Sequence, residues 1–397
     1  MEIKQTIAKN LNRVKKEMGL KNQDLAELMG VTRQTIAKYL KGEQIPDSAK
    51  LFLLSRHLNI PMKDLIVSSD DQREPMSSFM FRADNPKENF RLIDQNQVNR
   101  IMDEYYELLA SFGEASVAYL PPTYKVKLVD HELTEEHKTI IRQAAEQTRK
   151  MFGLDHVIPS DIYAVLERHG IHVIALKTID KKIDGLSAYS EEKGAFIFLN
   201  DHDEIPEERK RFSVIHELGH LIFHREEYRS DLSSLTYSSA RREINEKVAT
   251  LFASYFLIPR EQLREYAYYF KRYVTLEMIM ELKRQFFVSA ETFMRALLDE
   301  QYISGRTYGH LRKTLREQGY KEQEPAPIEY IPKNRKLTYF VKQAYFEGSI
   351  TINKVCEILG CDLRTAREMV KGWYKEHGCS ENTGGFIKRE RWWTTMC

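Results

Sequence analysis

The chain has 397 residues, 42% of them hydrophobic and 30% charged, the balance of a folded aqueous protein with room for two or three domains. No apolar run approaches the ~20 residues a membrane span requires, and the opening MEIKQTIAKN lacks the apolar centre of a secretion signal, so a cytoplasmic protein without membrane contact is expected. The net charge of +2 is unevenly spread: residues 1–67 and 333–397 each carry 12 basic and 7 acidic side chains and the middle is acidic, which puts any nucleic-acid contact at the ends.

In residues 1–67, Ile3, Ile7, Leu11 and Val14 recur every three or four positions and predict a first helix, broken at Gly19. Asn22 is placed to cap QDLAELM, which stops at Gly30, and Thr32 to cap RQTIAKYLK, which stops at Gly42. Pro46 opens a further helix through Leu54, and Ile60, Leu65 and Ile66 close a five-helix core. The two short helices and their tight turn, anchored by Leu25, Ala26, Leu28, Val31, Ile36 and Leu40, have the geometry of a helix-turn-helix. Its second helix would enter the DNA major groove by its N-terminal end, led by Arg33 and Gln34, with Lys38 and Lys41 on faces that can meet phosphate. The run NQDLAELMGVTRQTIAKYLKGEQIP, continued by SRHLNIPMKDLI, resembles the phage-repressor or XRE type of helix-turn-helix domain. That resemblance implies DNA as a partner, with base contacts from Gln23, Thr32, Arg33, Gln34 and Thr35; Leu40 departs from the acidic residue often found there. Such domains also serve as dimerisation modules, and a homodimer is a further expectation.

Residues 68–97 are polar and turn-rich and read as a tether. Apolar positions at Val98, Ile101, Met102, Tyr105, Leu108 and Leu109 predict a helix, Pro121 and Pro122 interrupt the chain, and a helix from Thr134 to Met151 follows. This region supplies scaffold, with His131 and His137 expected at the surface.

The chemistry is concentrated in RFSVIHELGHLIFH, residues 211–224. HELGH places His216 and His220 one helical turn apart on one face with Glu217 beside them, the arrangement of a Zn²⁺ pocket and a general base. Two neutral imidazoles can hold the ion, and Glu217 can take a proton from the attacking water and pass it to the leaving nitrogen of a peptide bond. His224 is too far along the helix, about 12 Å from His216, to complete the set. A second helix from Glu243, stopped by Pro259, is the expected donor, with Glu243 and Glu246 both able to reach in. Before these come a helix from Asp161 to Arg168, the strand IHVIAL, and the strands GLSAYS and AFIFLN around an EEKG turn. The edge strand of such a sheet can hold an extended substrate by backbone hydrogen bonds, and Phe196–Asn200 is the expected edge.

The segments IHVIALKTIDKKIDGLSAYS, AFIFLN, KRFSVIHELGHLIFH and EKVATLFASYFLIP resemble the ImmA/IrrE family of zinc metallopeptidases over roughly residues 158–259. The resemblance implies that Glu246 is the third zinc ligand and that the substrate is a repressor-type regulatory protein, since members tied to mobile elements or stress responses are thought to cut such repressors. A cut in the chain's own linker near residues 70–90 is another implied possibility. Thr250 and Val248 depart from the family pattern, which commonly has Asn and a Glu or Gln there.

After Pro259 the aromatic run YAYYFKRY is expected in the core, and FFVSAETFMRALLDEQYIS as a helix pair completing the domain. In residues 331–397, a basic entry at Lys333–Lys336 leads to a helix on Leu337, Phe340, Val341, Ala344 and Tyr345, then to a helix, glycine turn and helix around Gly360. Arg364, Arg367 and Lys371 give the last helix a basic face, and Trp392 and Trp393 lie in the tail. Cys356, Cys361, Cys379 and Cys397 form no CxxC pair and are expected as reduced thiols.

The expected fold is mostly α and multidomain: a helix-turn-helix domain over 1–67, a linker over 68–97, an α+β zincin-like metallopeptidase domain over 98–330 and a small basic helical domain over 331–397. The expected function is that of a zinc-dependent endopeptidase and transcriptional regulator. The alternative is a regulator that binds DNA or a repressor without turnover.

Overall fold

Four short helices open the chain: α1 (Ile3–Glu17), α2 (Asn22–Met29), α3 (Arg33–Lys41) and α4 (Ser48–Leu58). They belong to a computed structural model that describes residues 3–17, 20–58, 65–66, 82–83, 92–114, 120, 123–124, 133–177, 184–190, 192–225, 239–270, 274–320 and 323–376. The chain divides into two units, Met1–Ser77 with Pro86–Asp103, and Ser78–Asn85 with Glu104–Cys397. Among the described residues no helix is long and apolar enough to cross a membrane.

In the first unit, Ile7, Leu11, Val14, Leu25, Ala26 and Ile36 form the core as expected, joined by Met29, Leu51 and Leu54, whereas Leu28, Val31 and Leu40 are only partly buried against it. Gly30 takes a left-handed conformation (φ 62°) between α2 and α3, and Val31 N–H bonds back to the Ala26 carbonyl at 2.9 Å, which closes the turn. Thr32 caps α3 by accepting from Thr35 N–H at 3.2 Å. Two caps differ from expectation. Asn22 is already helical, and the carboxylate of Asp24 accepts Lys21 N–H at 2.6 Å; Asp47 rather than Pro46 starts α4, accepting Lys50 N–H at 2.8 Å. An ionised carboxylate is the stronger acceptor at a helix N-terminus, so it wins both places. Leu65 and Ile66 join the core; the rest of the expected fifth helix, and most of the linker, lie outside the described residues.

The second unit is built on a sheet of β1 (Arg82–Ala83), β2 (Ile171–Leu176), β3 (Gly185–Ser190) and β4 (Gly194–Asn200) in the order β1-β3-β4-β2. β4 runs parallel to β2, from Ile171↔Ala195 to Leu176↔Asn200, and antiparallel to β3, from Gly185↔Leu199 to Ser190↔Gly194. Phe196–Asn200 is therefore interior and not the expected edge. All seven residues of β4 are buried, and an uninterrupted apolar run such as AFIFL is the mark of a strand covered on both faces. At Ala175 on the outer side of β2, the amide of Asn334 mimics a strand residue: Ala175 N–H donates to its Oδ1 at 2.7 Å and its Nδ2 donates to the Ala175 carbonyl at 2.8 Å.

Around the sheet lie the part of α5 (Leu92–Ser111) from Glu104 onward, α6 (Glu135–Met151), α7 (Ile162–Arg168), α8 (Glu207–Phe223) and α9 (Ser239–Leu257). Val214, Ile215, Leu218, Leu221 and Ile222 of α8 and Val248, Phe252 and Phe256 of α9 share one core with Ile197 and Leu199 of β4. Gly219 allows this packing: a Cβ there would sit 3.1 Å from Ala249 Cα. Helices α10 (Arg260–Glu265), α11 (Leu276–Phe286), α12 (Ala290–Asp299) and α13 (Gly305–Glu317) complete the unit; residues 286–304, expected as a helix pair, hold one helix, α12, between the last residue of α11 and the start of α13. The aromatic run divides in a way not anticipated. Phe270 is buried but Tyr268 and Tyr269 are exposed, because the short helical turn Ala267–Phe270 has only one covered face. His137 is also buried, not exposed, because its Nδ1 accepts Thr134 N–H at 3.2 Å at the start of α6; His131 lies outside the described residues.

The C-terminal helices are α14 (Arg335–Phe346), α15 (Ile352–Leu359) and α16 (Leu363–Glu376). Leu337, Phe340, Val341 and Ala344 are buried as their spacing predicts. Gly360, left-handed at φ 62°, approaches Leu176 of β2. Cys356 and Cys361 are free thiols, whereas Cys379, Cys397, Trp392 and Trp393 lie outside the described residues. Lys333, at the expected basic entry, is instead buried on Glu207 at 2.7 Å.

Burial of one histidine sets a pH dependence of stability. His172 on β2 lies against the rings of Tyr105 and Phe196, and this burial, with some repulsion from Lys336, pushes its pKa down to about 4. Unfolded, it would protonate near 6.5, so the unfolded state binds the extra proton as pH falls and stability drops between about 6.5 and 4. The loss amounts to about 3 kcal/mol at the acid end of that window. Denaturant titrations at pH 7 and pH 5 should show a smaller drop for His172→Phe than for the parent; equal drops would remove His172 as the cause.

Candidate active site

Helix α8 carries HELGH because its other faces are apolar and covered: every residue from Ser213 to Phe223 is buried. The i,i+4 spacing brings Nε2 of His216 and Nε2 of His220 to 3.1 Å from each other. Helix α9 crosses α8 at Gly219, close enough for Glu246 Oε2 to lie 3.1 Å from His216 Nε2 and 3.5 Å from His220 Nε2. Glu243, one turn earlier, is exposed and paired with Lys247 at 2.8 Å.

The three donors fit a zinc ion. Tetrahedral coordination at 2.0–2.2 Å separates neighbouring donors by about 3.3 to 3.5 Å, close to the three spacings found here. Two imidazoles and one carboxylate also match the ligand type of a catalytic rather than a closed structural site, with no fourth ligand in the cluster among the described residues. His216, His220 and Glu246 could therefore hold a metal.

Each histidine has a polar contact at its second nitrogen. Thr250 Oγ1 lies 3.4 Å from His216 Nδ1, and His224 Nδ1 lies 3.0 Å from His220 Nδ1. Such contacts fix ring orientation and tautomer, so that Nε2 is left as the lone-pair donor. His224, too distant to be a ligand, is thus placed to orient one, which its i,i+4 spacing from His220 could have suggested. Thr250 lies beside the site, and Val248 is in the core.

Glu217 is fully buried and points toward β3, where Ser187 Oγ donates to its Oε2 at 2.6 Å. Gly185 makes room: a Cβ there would meet Glu217 Cγ at 3.3 Å and the Phe198 carbonyl oxygen at 3.2 Å. Neither Ser187 nor Gly185 was legible as part of the site, since a serine and a glycine in a strand carry no signal without their neighbours.

The N-terminal residues expected to face DNA share one region of α2 and α3. Gln23, Thr32, Arg33, Gln34 and Lys38 are exposed and Thr35 half-buried. Gln23 Nε2 donates to Glu27 at 3.0 Å, and the Thr32 and Thr35 hydroxyls are 2.9 Å apart.

Comparison with known families gives two matches. Residues 166–298 match the family model of the IrrE N-terminal-like domain, a peptidase family, and residues 11–65 match a helix-turn-helix model. No curated protein matches the chain.

Proposed function

We propose, from the premise that this chain is a fusion of an N-terminal helix-turn-helix domain with an IrrE-like peptidase domain, that it is a zinc-dependent endopeptidase acting on a repressor-type regulatory protein. The observation that carries the reading is the convergence of His216, His220 and Glu246 beside a buried Glu217. Residues 1–67 would bind DNA, with Arg33 and Gln34 at base edges and Lys38 at phosphate. Residues 68–97 would link them to a peptidase domain over 98–330, followed by a small basic domain.

When bound, Zn²⁺ supplies a Lewis acid that polarises the peptide carbonyl and acidifies a water. Glu217 takes the proton of the attacking water and delivers it to the leaving nitrogen, so the C–N bond breaks to a carboxylate and an amine. Ser187, donating to Oε2, holds that carboxylate in one rotamer. Thr250 and His224 hold the two imidazoles at the angles that direct Nε2 inward. A cytoplasmic setting, a homodimer and a link to mobile elements or stress responses belong to the same proposal.

The test is metal content. Protein purified without added zinc, then supplied with it, should retain one equivalent by elemental analysis, and Glu246→Ala should lose most of it. Absence of bound metal from both would favour the binding-only alternative.

A further inference from the structure

The outer side of β3 is taken by the chain itself. Arg82 pairs antiparallel with Ser187, and Ala83 with Leu186. Arg82 and Ala83 thereby belong to the same unit as the sheet.

The position of this pairing matters because β3 is the strand against Glu217. Ser187 donates to that carboxylate at 2.6 Å, and Gly185 lies against its stem. β4 is interior and Asn334 occupies the outer side of β2 at Ala175, whereas the outer side of β3 is the edge that already accepts a strand. An extended substrate there would form the antiparallel backbone pairs that Arg82 and Ala83 now form. The sequence agrees: Phe79, Met80 and Phe81 immediately precede Arg82 and make the longest apolar run between residues 68 and 91. A purely solvated tether has no use for three successive large apolar residues.

We propose that the strand at Arg82–Ala83 is an internal peptide ligand on the substrate-binding edge of the peptidase, so that a protein substrate must displace the chain's own linker to bind. This rests on the endopeptidase reading for the identity of the edge, though not for the competition itself. A two-residue pairing offers only a few backbone hydrogen bonds, each worth about 1 kcal/mol net, so the strand is exchangeable. Its advantage is the tether, which gives it an effective concentration on the order of millimolar. A free peptide of equal intrinsic affinity is therefore weakened until the tethered strand is removed.

The experiment uses the full chain and a fluorescent peptide of sequence SFMFRADN, residues 78–85, followed by anisotropy with and without zinc. In the double variant Arg82→Pro with Ala83→Pro, proline cannot donate to the ladder and the internal strand is lost. The peptide should bind that variant about tenfold or more tightly than the parent chain. A second variant, with residues 78–85 replaced by a Gly-Ser segment of equal length, should give the same gain and guards against a local effect of proline. Hydrogen exchange at whichever of the Leu186 and Ser187 amides faces Arg82–Ala83 should quicken in both variants and slow again on adding peptide. Equal affinity for parent and variants, or no binding to any of them, would overturn the proposal. Because binding is read without hydrolysis, a failure of the peptidase reading, seen as absent metal or absent cleavage, stays distinguishable from this outcome.

Discussion

Glu217→Gln is expected to leave the chain folded and its zinc content unchanged while lowering peptide hydrolysis by about 10²–10⁴-fold, the usual contribution of a positioned general base. The amide has nearly the volume of the carboxylate, and its oxygen can still accept from Ser187 Oγ, now 2.6 Å from Oε2. Glu217 is not among the three clustered donors, so replacing it should not release the ion. Only proton transfer is removed. Product masses from a peptide library, measured beside the metal content of the same preparation, check both halves. Undiminished hydrolysis would remove Glu217 from the mechanism. An effect on a repressor that is stoichiometric and survives the substitution would instead support a regulator that binds without cutting.

The two histidines of the cluster that could hold a metal were legible from spacing. His216 and His220 fall on one helix face by their i,i+4 separation, and the stop at Pro259 fixed the span of the second helix. The choice between Glu243 and Glu246 was not local, because three residues of helix set the two side chains only about 60° apart around the axis, and the crossing at Gly219 decides which glutamate faces α8. The edge strand was misjudged for a similar reason. Strand order is a long-range property, and nothing in AFIFLN states that both β2 and β3 pair with it. The polar contacts beyond the ligands, Ser187, Thr250 and His224, come from three different elements, so their roles exist only after packing. Lys333 illustrates the converse. In sequence it is one of a run of basic residues, yet Glu207 and Asp201 hold it in the interior at 2.7 and 3.3 Å.

That interior charge network supports the second large prediction. Lys283 on α11 is completely buried, with Nζ 2.8 Å from Glu208 on α8 and 2.9 Å from Glu324. Glu208 Oε1 also accepts Ile328 N–H at 2.9 Å, and Glu324 Oε1 accepts Ala290 N–H at 2.8 Å. One cation thus joins the first turn of α8, α11 and the chain around residues 324–328. Lys283→Met keeps the chain length but leaves the buried Glu208 and the half-buried Glu324 carboxylates facing each other without a counter-charge. Breaking a buried pair in this way costs about 3–5 kcal/mol, and a lowering of Tm by roughly 10 °C follows for a unit of this size. The deficit should shrink on acidification. Burial already raises the pKa of Glu324, and losing Lys283 raises it further, so the folded state takes up a proton before the unfolded state does and regains stability as pH falls. Lys283→Met combined with Glu208→Gln should recover part of the loss at neutral pH, since the amide oxygen can still accept from Ile328. A Lys283→Met variant within 1 kcal/mol of the parent, measured by denaturant titration, would show that these charges do not hold the end of the metal helix. If the full loss is found, the anchor of α8 lies some two turns from His216, and the placement of both histidines depends on a lysine 63 residues or more further along the chain.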